Sequence, residues 1–424
     1  MVNAGTVLFF VSAVFGAIAV FLARSGHLGK EHLVGIDLGT TYSVVAVNRH
    51  GNVTVMPDVH GHFLLPSVVA FKPNGGVLVG RDARHYRRVD PKHTISNAKR
   101  FIGRQFDESI AAEAALYDFP LLANTTGDSH VCFGLNLPGH PSCISPVDIG
   151  YYVVKALKET AMAFLGHDQI YGAVIAIPAG FDASQRKATV AAFERAGLKV
   201  RNVLVEPTAA ALAYGLHTKP NVHYVLVFDF GGGTLDVSLL YLQNGSFQVM
   251  DTAGDNHLGG EDLDDLLSAH LKHEFEQVVG GHSLPDVQTS GDMPDVFPCT
   301  AAGVRGVAEQ LKRRLSFAND GEASCVVQQA VGEYVVGDTL RLRMTRAEWE
   351  ELCLPTLQRT MEPVKEVLVG NMMTAGDVDE VVLVGGSSRI PWIQGQLTEM
   401  FGRAPNGHID PDVAVAVGAA RLAH

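Results

Sequence analysis

Two short stretches, one in each half of the chain, constrain the fold more than anything else in it. Leu33–Ser43 reads LVGIDLGTTYS and Phe228–Ser238 reads FDFGGGTLDVS. In each, an apolar run delivers an aspartate, Asp37 or Asp229, to a glycine bend. The bend is Gly39 in the first copy and Gly231, Gly232 and Gly233 in the second, followed by the hydroxyls of Thr40 and Thr41 or of Thr234 and then Asp236. Glycine bends reach φ > 0 and let main-chain N–H groups approach a ligand. Successive N–H groups in such a bend form a nest for phosphate oxygens. Aspartates repel phosphate, so the pattern calls for an intervening cation. Mg²⁺ fits, because it keeps its waters and bridges a few carboxylates to phosphate. One such hairpin is as readily an ordinary glycine turn; two in register point to a duplicated phosphate grip.

At 424 residues the chain is long enough for two large lobes. With 47% hydrophobic and 18% charged residues it reads as a well-packed globular protein. A net charge of −12, with no basic run longer than RR or KRR, argues against nucleic acid as a partner. The uncharged stretch Val7–Leu22, followed by Ala23, Arg24 and Ser25, fits the apolar region of a secretory signal peptide and is short for a spanning helix. Without Lys or Arg before it, a cleaved signal and an uncleaved anchor both stay open. The sequons at Asn52, Asn124 and Asn244 permit a secretory route. Five cysteines, an odd number without a CxxC pair, imply neither a zinc site nor a disulfide framework. Cys132 and Cys143 are open to a local bridge or to two free thiols. No KDEL-type retention signal ends the chain.

Along the chain, Asn52–Val55 and Ser67–Phe71 read as strands, and Asp90–Arg104 begins as a loop and turns helix-like, carrying Lys99 and Arg100. Leu121–Ser145 reads as a surface excursion. A helix runs from Ser145 to about Leu165, then a buried strand Ala173–Ile177, then a helix capped by Asp182 and closed by Gly197. Strand Val203–Val205 leads straight into Glu206, at the strand end where ligand sites of α/β sheets lie. Gly254–Asp265 is a glycine turn entering an acidic helix start, and Gly280–Gly303 reads as an exposed polar loop. In Val307–Phe317 one face holds Val307, Leu311 and Leu315, and another holds Glu309, Lys312, Arg313 and Ser316. On spacing alone the polar stripe reads as a solvated face, with an adenosine clamp as the alternative. Asp379–Pro391 is a strand, a Gly385-Gly386 turn and a helix start beside Arg389; Asp410 and Pro411 read as the opening of a last, small-residue helix.

The blocks GIDLGTTYS, VEPTAAALAYG, FDFGGGTLDVS, LGGED and VLVGGSSRIP, in this order, resemble the nucleotide-binding domain of the 70-kilodalton heat-shock (stress-70) chaperone family. The resemblance runs from about Leu33 to Ala423, and the layout is similar to a short, microsome-associated member that is an ATPase core alone. It implies an α/β, actin-like ATPase fold: two lobes of duplicated mixed five-stranded sheet plus helices around a nucleotide cleft. The implied division is 1–25 signal peptide or anchor, 31–218 lobe I, 219–406 lobe II and 407–424 a return helix on lobe I, with no peptide-binding domain. By resemblance, Gly39, Thr40, Thr41, Gly231, Gly232, Gly233 and Thr234 hold phosphates. Asp37, Glu206 and Asp229 bind hydrated Mg²⁺, and Lys99 positions the γ-phosphate and attacking water. Asp236, with Asp37 and Tyr42, matches a K⁺ position. Glu309, Lys312, Arg313 and Ser316 match the adenosine clamp, with Gly385, Gly386 and Arg389 closing the other side and Asp412 nearby. Phe230, Val205 and Ser388 stand where the family has Leu, Asn and Thr, and leave the charged groups in place.

The resemblance therefore implies an ATP- and ADP-binding, ATP-hydrolysing chaperone-type ATPase core of the endoplasmic reticulum lumen or microsome. Its expected partners are co-chaperones or nucleotide-exchange factors, with membrane contact only through an uncleaved N-terminal segment. With no interdomain linker or peptide-binding domain after His424, coupling of ATP to client release is not expected in the family's usual form. A nucleotide-responsive module with little hydrolysis and a small-molecule kinase are the competing classes. The clamp helix argues against the kinase.

Overall fold

The computed structural model describes residues 32–124, 130–285 and 297–423. The apolar stretch Val7–Leu22 lies outside the described residues. Among those described, no helix is long and apolar enough to cross a membrane.

Two sheets of matching topology organise the molecule. The first is built from β1 (Leu33–Leu38), β2 (Tyr42–Arg49), β3 (Asn52–Val55), β4 (Gly172–Ile177) and β5 (Lys199–Val205), in the order β5-β4-β1-β2-β3. The short strand Leu65–Pro66 adds to β2. β1 runs antiparallel to β2 and parallel to β4. The second sheet contains β6 (Tyr224–Phe230), β7 (Leu235–Gln243), β8 (Ser246–Asp255) and β9 (Glu380–Val384), in the order β8-β7-β6-β9. Again the aspartate strand, β6, is antiparallel to its hairpin partner and parallel to the late strand. The expected fifth strand of this sheet is reduced to one parallel bridge between Asn406 and Val382. Central strands with both faces covered read as continuous apolar runs, as β1 and β4 do. β8, at the edge, alternates between exposed and half-buried residues instead.

Helices cover the sheets. The helix α1 (Pro146–Leu165) starts on a Ser145/Asp148 capping box and ends at Gly166 in the left-handed conformation, burying Ile149, Val153, Leu157 and Ala161. α2 (Glu206–Ala213) leaves the end of β5 but packs its alanines with Val225, Val227 and Val382 of the second sheet. α3 (Gly260–Val278) and α4 (Ala301–Leu315) belong to the second sheet's core. The last helix, α5 (Ala414–Arg421), lies on the first sheet, with Ala416 and Ala420 against Val44 and Ala46. α2 and α5 thus exchange sheets and cross. At the crossing a Cβ on Gly418 would lie 2.9 Å from Ala209 Cα, with the Ala209 carbonyl closer still. Only glycine admits that backbone approach.

Several elements differ from what the sequence suggests. Asp90–Arg104 is not a helix: tight 3-10 turns at Pro91–His93 and Ala98–Arg100 flank the short strand Thr94–Ile95. Within 121–145, the described strands Leu121–Ala123, Val131–Gly134 and Cys143–Ile144 form a small three-stranded sheet where the sequence reads as a surface excursion, with Val131, Cys132 and Phe133 buried. Four cysteines pair, Cys132 with Cys143 and Cys299 with Cys325, leaving Cys353 buried and free. The end of the 280–303 stretch is not exposed loop, since Cys299 is buried and α4 begins at Ala301. Asp410 does not cap the last helix. Its carboxylate accepts from Arg389 and, at 3.0 Å, from the Asp412 amide, so it caps the turn before α5, which starts at Ala414.

Candidate functional site

Each aspartate is placed by its strand register. Asp37 sits beside Ala176 on β4 and Val44 on β2; Asp229 sits beside Val384 on β9 and Asp236 on β7. The turns that follow are fastened from behind through their carbonyls. Ser67 donates its hydroxyl to Gly39 O at 2.8 Å and its amide to Thr41 O at 2.9 Å. In the second turn the first amides of α3 donate to Gly231 O and Gly232 O at 3.1 and 2.7 Å. What these turns offer a ligand is therefore their N–H groups. Gly231 is the exception, because its amide closes the turn onto Thr234 O at 3.0 Å.

The two hairpins face each other across one cavity of about 550 Å³, a volume ordinary for a small-molecule site. Asp37, Gly39, Thr40, Thr41, Tyr42, Lys99, Glu206, Asp229, the three glycines, Thr234, Asp236, Gly385, Gly386 and Asp412 all line it. A smaller annex of about 200 Å³ lies behind Asp229, Asp236 and Glu206. The hairpins also touch. A Cβ on Gly232 would lie 2.9 and 3.0 Å from Thr41 Cβ and Cγ2.

Between the aspartates, Lys99 donates to Glu206 at 2.5 Å, both side chains nearly buried. Burial alone would lower the Lys99 pKa, but the carboxylates of Glu206, Asp37 and Asp229 outweigh it and hold the ammonium above its ordinary value. Lys99 is therefore a fixed positive charge, not a base. Burial pushes Asp37 up to about 7 against the pull of Lys99, with Glu206 adding to the rise. Burial, with Glu206 next, lifts Asp236 to about 6. Asp229 is raised well above its ordinary value by burial, then by Glu206, Asp236 and Asp37. Four buried carboxylates share one ammonium, a charge imbalance that a divalent cation would relieve. Among the described residues no three His, Cys, Asp or Glu side chains converge closely enough to hold a bare ion. The donor set fits a hydrated Mg²⁺ held through its waters.

The α4 residues lie outside the cavity lining. Lys312 is buried and turned away to Asp264, at 2.8 Å, and to Gly260 O, at 2.7 Å. It is not part of a solvated stripe. Ser316 returns its hydroxyl to Lys312 O. Glu309 reaches across to the first lobe, where it pairs with Arg84 and accepts from the Tyr42 hydroxyl at 3.3 Å. Arg313 is close enough to act on the charges of both Tyr42 and Asp412. Arg389 lies just outside the lining, paired with Asp410 and, at 3.2 Å, with Asp412.

Sequence reasoning missed the contacts that tie the lobes together. Arg84 bonds both Tyr42 and Glu309. Arg100 donates to Gly233 O at 2.6 Å and to Asn256 O. Glu261 accepts from Thr41 and Asn97, both at 3.3 Å. Asp264 was legible only as one of the acids at the start of α3, not as the buried partner of Lys312. Only the LGGED block pointed at Glu261; the contacts themselves carry no local signal.

A duplicated sheet pair, crossed helices and two phosphate-type turns facing one cleft define the actin-like ATPase fold. The model of the Hsp70 protein family matches residues 33–424. The chain is also 39% identical over 390 residues to the "Chaperone protein dnaK" of Cyanidioschyzon merolae (strain NIES-3377 / 10D), covering 92% of this chain and 61% of that protein. The chain belongs to the Hsp70 family, a family of ATPases that bind ATP and ADP with Mg²⁺. It spans about three-fifths of the length of the curated relative it matches.

Proposed function

We propose that this chain binds Mg²⁺-ATP between the two hairpins and hydrolyses it to ADP and phosphate as a chaperone-type ATPase. The observation that carries the reading is the pair of opposed turns lining one cavity, with the Lys99–Glu206 pair set among buried aspartates. Phosphoryl transfer to water needs positioning and charge neutralisation more than covalent chemistry. The amides of Gly39–Thr41 and of Gly232–Gly233 hold phosphate oxygens, and Lys99 keeps its charge on the reacting end. Asp37, Glu206 and Asp229 would hold the hydrated Mg²⁺, which neutralises phosphate charge when bound. Asp37 and Asp236 would also hold K⁺; the Tyr42 hydroxyl is already engaged by Arg84 and Glu309. Glu309 and Arg313 close over the nucleoside side, with Gly385 and Gly386 opposite.

Single-turnover phosphate release tests this reading. Wild-type protein is expected to release phosphate only with Mg²⁺, whereas Lys99→Ala binds nucleotide and loses turnover by about 10²-fold or more. Wild-type rates in the variant would reject the role of Lys99. Nucleotide binding without phosphate release in the wild type would favour a regulatory module instead.

We further propose an oxidising, secretory-pathway setting, the endoplasmic reticulum lumen or microsome. Co-chaperones or nucleotide-exchange factors would act on the two lobes there. Support comes from the two disulfides and the apolar Val7–Leu22 stretch. Asn52, at the start of β3, and Asn244, in a tight turn, are both exposed. Intact mass after secretory expression, with and without glycosidase, tests the setting. A product with the full N-terminus, no glycan and free thiols would contradict it.

A further inference from the structure

The Cys299–Cys325 disulfide lies at the root of α4, the helix that sends Glu309 and Arg313 toward the cleft. Cys325 belongs to the strand Asp320–Val326, so the link closes a segment made of α4 and that strand. Cys299 immediately precedes Thr300, whose hydroxyl caps α4 by accepting from Gly303 N at 3.1 Å. Two backbone hydrogen bonds run beside the disulfide: Cys299 N to Val326 O at 2.9 Å, and Val326 N to Phe297 O at 2.8 Å. The segment 297–299 is thus fastened by three links, one of them covalent.

That segment also reaches the opposite lobe. The Phe297 ring packs on the α4 backbone, since a Cβ on Gly306 would lie within 3.2 Å of three of its ring atoms. Its other neighbour is the Arg88 guanidinium of the first lobe, 5.2 Å from the ring centroid. Arg88 follows Arg84, which pairs with Glu309 farther along the same helix. The disulfide therefore anchors one end of a continuous segment, 297–315, that touches the first lobe at two places: through Phe297 before the helix and through Glu309 within it. Both sulfurs lie in the core, at 3% and 1% residue exposure, so a thiol reaches them only when this part of the lobe opens.

We propose that the Cys299–Cys325 disulfide is a positioning element for the nucleotide: it holds the root of α4 and the Phe297–Arg88 contact in place and so sets how long ADP is retained. The inference rests on the nucleotide reading above. Reduction of the link by a dithiol breaks one S–S bond and transfers two electrons and two protons. It yields two cysteine thiols while the dithiol closes to its own disulfide. The helix end then keeps its hydrogen bonds and packing but loses its one covalent tie, and the lobes part more often.

The test uses the full chain, oxidised, loaded with a fluorescent ADP analogue and chased with unlabelled ADP. Cys299→Ala/Cys325→Ala is expected to release the analogue at least fivefold faster, the low end of an ordinary coupling between sites. Cys132→Ala/Cys143→Ala should release at the wild-type rate. Release within twofold of wild type from the folded Cys299/Cys325 variant would overturn the proposal.

Should that variant fail to fold, the wild type supplies the same quantity by linkage. The state of Cys299 and Cys325 is read by alkylation and peptide mass across a series of dithiol buffers. Saturating ADP is expected to stabilise the disulfide at least fivefold, a shift of about 20 mV for a two-electron couple. A midpoint that ADP does not move overturns the proposal. A wild-type chain that holds no ADP overturns both this inference and the reading beneath it, whereas one that holds ADP indifferently to this disulfide overturns this inference alone.

Discussion

Adding one methyl group to Gly232 tests whether the two hairpins are pressed together. The new Cβ would lie 2.9 Å from Thr41 Cβ and 3.0 Å from Cγ2, with Oγ1 nearer still. Ordinary carbon contacts are about 3.5–4.0 Å, so the turns must separate by roughly 1 Å. Rotating Thr41 gives no relief, because all three of its outer atoms crowd the same point and its hydroxyl is bonded to Glu261. A shift of about 1 Å in a positioned reacting group costs about 10²-fold in rate, while overpacking costs about 1–3 kcal/mol of stability. Gly232→Ala is therefore expected to fold, to bind nucleotide more weakly and to lower single-turnover hydrolysis by 10- to 100-fold, in round figures. Thr41→Gly in the same chain should recover part of the binding loss. Quench-flow with labelled ATP, alongside a thermal melt, reads both effects. Wild-type turnover in Gly232→Ala would refute the apposition of the hairpins.

Three further outcomes follow from particular contacts. Arg84→Ala removes the half-exposed bridge to Glu309, worth about 1 kcal/mol, so nucleotide release measured by stopped flow should quicken about fivefold. Burial, opposed by Lys312, lifts Asp264 to about 6 from its ordinary 3.8, so folding favours the protonated acid. The cost of ionising it accrues as pH rises from about 4 to about 6 and is constant above. Asp264→Asn should therefore gain about 2.4 kcal/mol relative to wild type between pH 4 and pH 7 in urea unfolding, and a pH-independent difference would sink this assignment. Removing the Cys299–Cys325 link, whose partners are 26 residues apart, should cost about 3.5 kcal/mol on loop-closure grounds, seen as a lower urea midpoint.

The hairpins were legible because their signal is local: a strand, an acid, glycines and a hydroxyl within a dozen residues. Glu206 was legible for the same reason, at the end of a strand and the start of a helix. Contacts between distant segments were not. Arg84 and Glu309 are 225 residues apart, and no periodicity marks either as the other's partner. Lys312 looked like part of a solvated stripe because helix spacing says which face a residue occupies, not what packs against it; here α3 brings Asp264 to it. Cysteine parity could not reveal pairings made by tertiary folding. Strands of only two to four residues hid the sheet at 121–145 behind a loop-like composition. Asp410 does accept from the Asp412 amide, as a cap would, but the residues after it form a turn and α5 begins only at Ala414.

A double-mutant cycle on Mg²⁺-ATP affinity examines the shared grip most directly. Calorimetry would give the dissociation constants of wild type, Asp37→Asn, Asp229→Asn and the double variant. If both aspartates hold one hydrated ion against one triphosphate, the double variant should lose scarcely more than the worse single variant, a coupling above about 1 kcal/mol. Losses that add within about 0.5 kcal/mol would mean that the two carboxylates serve separate sites.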